Sequence, residues 1–109
     1  MKEERMDALK LSQIVSDEYQ SKILLGTADE PKSAVQLSRE FRIPMAACYR
    51  RIRRLEKEGL LTRVDKVPSR RGKKISIYSS QIKNIYTTLE NGKINVTVEF
   101  IDGRIVDLD

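Results

Sequence analysis

The sequence predicts an α+β fold, a three-helix core followed by antiparallel strands, on three observations. Helix-type apolar spacing with capping residues fills residues 16–58. Gly59 closes that stretch, and two short strand-like runs follow it around a basic, glycine-bearing loop. A further alternating region centred on Asn91-Gly92 completes the chain. Three parts result: an N-terminal segment at 1–15, a helix-and-hairpin body at 16–79 and a C-terminal β-hairpin extension at 80–109.

In the N-terminal segment Met6, Leu9, Ile14 and Val15 lie partly on one side of an extra helix, which either joins two chains or frays. Ser16, followed by Asp17 and Glu18, starts the first core helix and puts anions near its positive end. Tyr19, Ile23 and Leu24 form its buried side, Gly26 ends it, and Thr27 to Lys32 is a polar loop. Ser33-Ala34-Val35-Gln36 is a capping box, so a second helix begins near Ala34 and turns Ala34, Leu37 and Phe41 inward. Arg42 and Ile43 connect it to a third helix opened by Pro44, where a missing amide hydrogen costs little.

The third helix, about 45–58, is crowded with arginine. Met45, Cys48, Ile52 and Leu55 fall on one stripe to be buried. Ala46, Ala47, Arg50, Arg53 and Lys57 form the opposite side, flanked by Tyr49 and Arg54. Small residues at the start of that side let the backbone approach a groove closely, and the arginines have the fork geometry that suits phosphates or guanine edges. A merely solvated amphipathic helix is the competing reading. Gly59 supplies a left-handed C′ position, and Leu60 folds back onto the last turn.

Leu60 to Asp65 and Lys74 to Ser79 then read as two strands of a hairpin joined by Val67 to Lys73. Arg70, Arg71, Lys73 and Lys74 crowd around Gly72. Lysines on an edge hairpin discourage edge pairing and need no further role. Beside an arginine-rich helix, the same cations make a wing, about 66–74, that touches a phosphate backbone or a minor groove. Helix, turn, helix and wing together give a winged helix-turn-helix. Past Gln81, Ile85, Thr87 and Leu89 alternate with polar residues, as do Ile94, Val96, Val98 and Phe100, and Asp102-Gly103 turns the chain into Ile105 to Leu108. This is expected to be a small antiparallel sheet continuing from the wing. Its apolar face serves either core completion or association of two chains.

Pro31-Lys32-Ser33-Ala34, Leu37-Ser38, Ile43-Pro44, Cys48-Tyr49-Arg50-Arg51-Ile52, Leu55 and Gly59-Leu60-Leu61 resemble the archaeal winged helix-turn-helix transcription regulators of the ArsR-like type. The resemblance runs from roughly Asp17 to Ser79, about half of the chain. It implies double-stranded DNA binding by a homodimer and control of transcription, with Ser33, Ala46, Ala47, Tyr49, Arg50, Arg53, Arg54 and Lys57, and the wing's Arg70, Arg71, Lys73 and Lys74, at the DNA. Family members commonly carry serine and threonine where this chain has Ala46 and Ala47, so two polar contacts are missing and apolar contact with a thymine methyl can replace them. Metal-sensing relatives use cysteine and histidine clusters. This chain has no histidine and one cysteine.

Composition agrees. At 109 residues the chain is one domain, or one with an appendage, and buries only a modest core, which makes dimerisation a source of added stability. No run approaches the roughly 18 apolar residues of a membrane span, and Met1 to Arg5 lacks a signal-peptide core, so a cytoplasmic protein is expected. Glu30 to Tyr78 holds 14 Lys and Arg against 5 Asp and Glu, a balance of +9, while the rest holds 7 against 11, a balance of −4. Such a concentrated positive field fits a polyanion partner. Cys48 on the inward stripe reads as a small apolar residue, and Asn95-Val96-Thr97 means nothing without secretion. No histidine, phosphate loop or paired carboxylates support catalysis, and no cofactor or metal is expected. An interaction module of the transcription machinery and an RNA binder remain as alternatives; with 6% aromatic residues and no tryptophan, base stacking is poorly served.

Overall fold

The computed structural model describes residues 13–14, 16–68 and 71–108. Met6, Leu9, Val15 and Arg70 lie outside the described residues. Helices α1 (Glu18–Gly26), α2 (Ala34–Phe41) and α3 (Met45–Lys57) precede strands β1 (Leu61–Pro68), β2 (Lys74–Ser80), β3 (Ile82–Glu90), β4 (Lys93–Phe100) and β5 (Ile105–Leu108). This is the α+β winged helix-turn-helix the sequence predicts.

Asp17, not Ser16, caps α1. Ser16 belongs to the preceding helical turn and donates its hydroxyl to the Gln13 carbonyl at 3.1 Å. Asp17 has an extended backbone, and its carboxylate accepts from the Gln20 amide at 2.9 Å. A charged acceptor at the positive end of a helix is the stronger cap. The buried Gln20 side chain donates to the Ile14 carbonyl at 3.0 Å and so fastens the chain before α1.

Around α2 the capping box is complete: Gln36 donates its amide to the Ser33 hydroxyl at 3.2 Å and accepts from the Ser33 amide at 2.9 Å. Arg42 leaves α2 in the left-handed region at φ 57°, and the turn closes with Ile43 buried and its amide donating to Ser38 at 3.0 Å. At the end of α3, Gly59 (φ 79°) donates to the Glu56 carbonyl at 3.0 Å and Leu60 to the Leu55 carbonyl at 2.9 Å, a Schellman motif that seats Leu60 in the core.

β1 and β2 pair antiparallel from Leu61 opposite Ser80 to Pro68 opposite Lys74, with a bulge between Arg63 and Asp65. The strands run further than the sequence suggests, because Pro68 sits at the strand end, where no ladder amide is required. The C-terminal strands are a correction to the expected continuous sheet. They form a separate three-stranded sheet in the order β3-β4-β5, turned at Asn91 (φ 53°) and Gly92 (φ 75°). The break falls at Gln81, whose amide donates to Leu60 and whose carbonyl accepts from Ile101, so that β3 cannot pair with the wing there. The base of this sheet still joins the helices: Val98 and Phe100 share one buried cluster with Ile23, Leu37, Ile52, Leu55 and Leu60.

Gly26 needs its missing side chain for a reason of packing rather than of backbone angle. A Cβ there would press on the Phe41 ring and come within 2.9 Å of Leu37 Cδ2. Alanine gains about 1 kcal/mol in helix propensity over glycine, and overpacking a filled core costs about 1–3 kcal/mol. Gly26→Ala is therefore expected to lower stability on balance in urea unfolding; a gain would show that Phe41 gives way freely.

Candidate nucleic-acid interface

The faces of α3 follow from its buried stripe. Cys48, Ile52 and Leu55 are at most 1% exposed and point into the body. At about 100° per residue, Met45 stands about 50° from the centre of this stripe and Ala47, on its other flank, about 110°. Their neighbours decide the matter against the sequence reading: Met45 is 38% exposed and Ala47 only 8%. The small alanine fits the closely packed flank, while Met45 lies in the first turn, past the cover of the body.

Arg51 also turns inward. Its guanidinium pairs with Asp17 at 3.2 Å and lies over the Tyr19 ring at 5.4 Å, tying α3 to α1. Arg63 is similarly engaged, with Glu56 at 3.7 Å and the Tyr78 ring at 5.6 Å, and Lys32 pairs with Glu40 at 2.8 Å. By contrast, Ala46, Tyr49, Arg50, Arg53, Arg54 and Lys57 are exposed along the outer side of α3. Among the described residues, none of these four cations has a carboxylate within ion-pair distance.

The wing stands beside this face because β2 is anchored to the segment before α2. Lys32 donates to the Tyr78 carbonyl at 3.0 Å, and Tyr78 donates back at 2.8 Å. A groove of about 240 Å3 results between the start of α2 (Ser33 and Val35), Tyr49 of α3 and Lys74 to Ser76 of the wing. A second, of about 340 Å3, sets Arg50 and Arg54 beside the Asp17–Arg51 pair. Arg71, Lys73 and Lys74 are exposed on the wing. The structure thus brings Tyr49 and Lys74 together, aligns Arg50, Arg53, Arg54 and Lys57, and carries Arg71 and Lys73 out along the hairpin. Ser33, 3% exposed, lines the first groove, but its hydroxyl and amide are both used in capping. Val35 and Met45 are exposed at 40% and 38%, although the sequence reading puts Met45 on the buried stripe and gives Val35 no place at this surface.

Such a surface can hold a row of phosphates. Guanidinium and ammonium groups without internal partners keep their counterions in the free protein and release them on meeting a polyanion. Cys48 offers no competing chemistry: its thiol donates to the Ala34 carbonyl at 3.6 Å, and burial pushes it up from its ordinary 9.0. Among the described residues there is no group of three or more metal-ligating side chains, and no helix is long and apolar enough to cross a membrane.

Residues 15–64, which span α1, α2, α3 and the start of β1, match a family model described as a helix-turn-helix domain. A comparison with curated proteins finds no match. The matched segment holds all of the exposed α3 cations and stops before the wing loop.

The Asp17–Arg51 pair joins α3 to the N-terminal cap of α1 and carries a pH signature. Burial raises the Asp17 carboxyl, but the Gln20 amide and the Arg51 guanidinium together outweigh it and hold the group below its ordinary 3.8. A carboxyl lowered in the folded state adds stability above 3.8 that disappears as pH falls through its folded value. Asp17→Asn keeps a capping side chain and removes the charge. It is expected to cost up to about 1 kcal/mol at neutral pH, with the difference from wild type vanishing in acid. Thermal melts across that range check this, and an equal difference at every pH would assign the loss to capping alone.

Proposed function

We propose that this chain, with its helix-turn-helix domain, is a sequence-specific duplex DNA-binding transcription regulator that acts as a cytoplasmic homodimer. In this reading α3 enters the major groove, Arg50 and Arg53 address base edges, and Arg54 and Lys57 follow the backbone. Arg70, Arg71, Lys73 and Lys74 of the wing lie on phosphates or in the neighbouring minor groove. Ala46 and Met45, at the leading end of α3, supply apolar contact for a thymine methyl.

One observation carries the reading. The arginines of α3 are sorted by direction: Arg51, on the inner side, is paired with Asp17, whereas the outer four cations are left without carboxylates among the described residues. A helix that only needed solubility would gain from acidic neighbours at i±4 positions, and of these four cations only Arg54 has one, Glu58. The resemblance to ArsR-like regulators and the position of the wing beside Tyr49 support the same conclusion.

Fluorescence anisotropy on the chain's own upstream promoter duplex, a scrambled duplex and the matching single-stranded RNA, across a salt series, tests it. The promoter duplex is expected to bind tightest. Arg50→Ala should lose about 1–3 kcal/mol on that duplex and little on the scrambled one, erasing the preference. Arg71→Ala should weaken all duplexes alike and reduce the salt slope by about one. Equal affinity for all three nucleic acids would overturn sequence-specific reading, and weak binding to all of them would move the function to a protein partner.

A further inference from the structure

Three exposed apolar side chains meet at one place beside the unpartnered cations. Val35 at the start of α2, Tyr49 of α3 and Ile75 of β2 are 40%, 41% and 36% exposed. All three line the groove of about 240 Å3 between the two helices and the wing.

The floor of this groove is chemically closed. Ser33, Ala34 and Tyr78 are at most 5% exposed. The Ser33 oxygen and amide belong to the capping box, the Ala34 carbonyl accepts from the Cys48 thiol, and the amide and carbonyl of Tyr78 are both bonded to Lys32. The rim is open. Among the described residues, the Tyr49 hydroxyl, the Lys74 ammonium and the Ser76 hydroxyl have neither a hydrogen-bond nor an ion-pair partner. No Asp or Glu lines the groove.

These properties identify the occupant. Free donors beside an apolar wall require acceptor oxygens on a body made of carbon, and a cation with no carboxylate near it requires negative charge. The backbone of a DNA duplex supplies both, since deoxyribose presents C–H surface and its phosphate carries charged acceptor oxygens. A base fits less well, because turning it out of the duplex costs its stacking and pairing. Arg50, adjacent to Tyr49, and the outer cations beyond it continue the positive charge past the groove, as a chain of evenly spaced phosphates demands.

We propose that this groove seats one nucleotide of the backbone of a bound DNA duplex, its phosphate accepting from Lys74 Nζ and Tyr49 Oη and its deoxyribose lying against Val35 and the Tyr49 ring. The proposal rests on the duplex-binding reading above and adds a fixed point to it. A nucleotide held between α2, α3 and the wing sets the register of Arg50 against the base edges without itself reading sequence. Val35 and Tyr49 are thus positioning residues.

The test steps a single methylphosphonate linkage, which removes one phosphate charge, along the promoter duplex. Binding is followed by fluorescence anisotropy for wild type, Tyr49→Phe, Lys74→Ala and Val35→Ala. All three positions are exposed and Tyr49→Phe keeps the ring, so thermal melts are expected to agree with wild type. In wild type, neutralising one particular linkage should cost about tenfold in affinity, as loss of hydrogen bonds to a charged group does. In Tyr49→Phe and in Lys74→Ala the same neutralisation should cost no more than about threefold, with losses at other linkages unchanged. Lys74→Ala should also lower the salt slope by about one, whereas Val35→Ala and Tyr49→Phe weaken binding and leave the slope as it is. Coupling spread evenly over the linkages, or absent between Tyr49→Phe and every linkage, reduces the groove to general electrostatics and overturns the proposal. A Val35→Ala chain of wild-type affinity overturns it too. Failure of the reading above is separable: weak binding of every duplex removes that reading and this seat together, and promoter preference with no privileged linkage removes the seat alone.

Discussion

Four consecutive residues, Tyr78 to Gln81, hold together parts of the chain that share little else. Tyr78 exchanges two backbone hydrogen bonds with Lys32 ahead of α2. Ser80 donates its amide to Thr27 at the end of α1, and Gln81 is bonded to Leu60 after α3 and to Ile101 after β4. Tyr78 and Ser80 are 5% exposed, so these amides and carbonyls have no water to fall back on. Each bond is worth only about 1 kcal/mol net, yet leaving one of these groups unpaired costs about 1–3 kcal/mol. The wing and the C-terminal sheet are therefore held by penalties against leaving, spread over every helix at once. The groove between Tyr49 and Lys74 exists because of this anchoring.

The distribution of ion pairs follows from that geometry. Where two elements meet, their cations are used: Arg51 between α3 and α1, Arg63 between β1 and the end of α3, Lys32 across to α2. Cations that face no element are left over, and they gather on one side because α3 has only one open side. A set of like charges without internal partners weakens the compact state by self-repulsion. A polyanion that binds them removes the repulsion and stabilises the folded chain by mass action. Stability and binding are then linked through the same side chains.

What could be read in the sequence was what a few neighbouring residues decide among themselves. The capping box at Ser33 and Gln36, the Schellman glycine at 59 and the Asn91-Gly92 turn are closed within four to six residues, and each formed as expected. The outer arginines were legible because Cys48, Ile52 and Leu55 fix the inner stripe. The readings that changed depend on distant partners. Ser16 and Asp17 are both good caps, and the choice fell to Asp17, which reaches Arg51 34 positions away as well as Gln20. Helical spacing favours Met45 over Ala47 for the buried stripe, yet Ala47 is the buried one, so the packing of the neighbouring helices overrides the spacing. The split between the two sheets rests on Gln81, whose two backbone bonds to Leu60 and Ile101 leave no trace in its own chemistry.

The junction between body and sheet is short and fully bonded. β2 ends at Ser80 and β3 begins at Ile82, so one residue separates the wing from the C-terminal sheet, and its amide and carbonyl are both bonded. That junction has none of the freedom of a flexible linker. β3 spans about 30 Å at roughly 3.3 Å per residue, enough to carry its tip clear of the helices. The radius of gyration of 15.1 Å agrees, since a chain of this length packed evenly would reach about 13 Å.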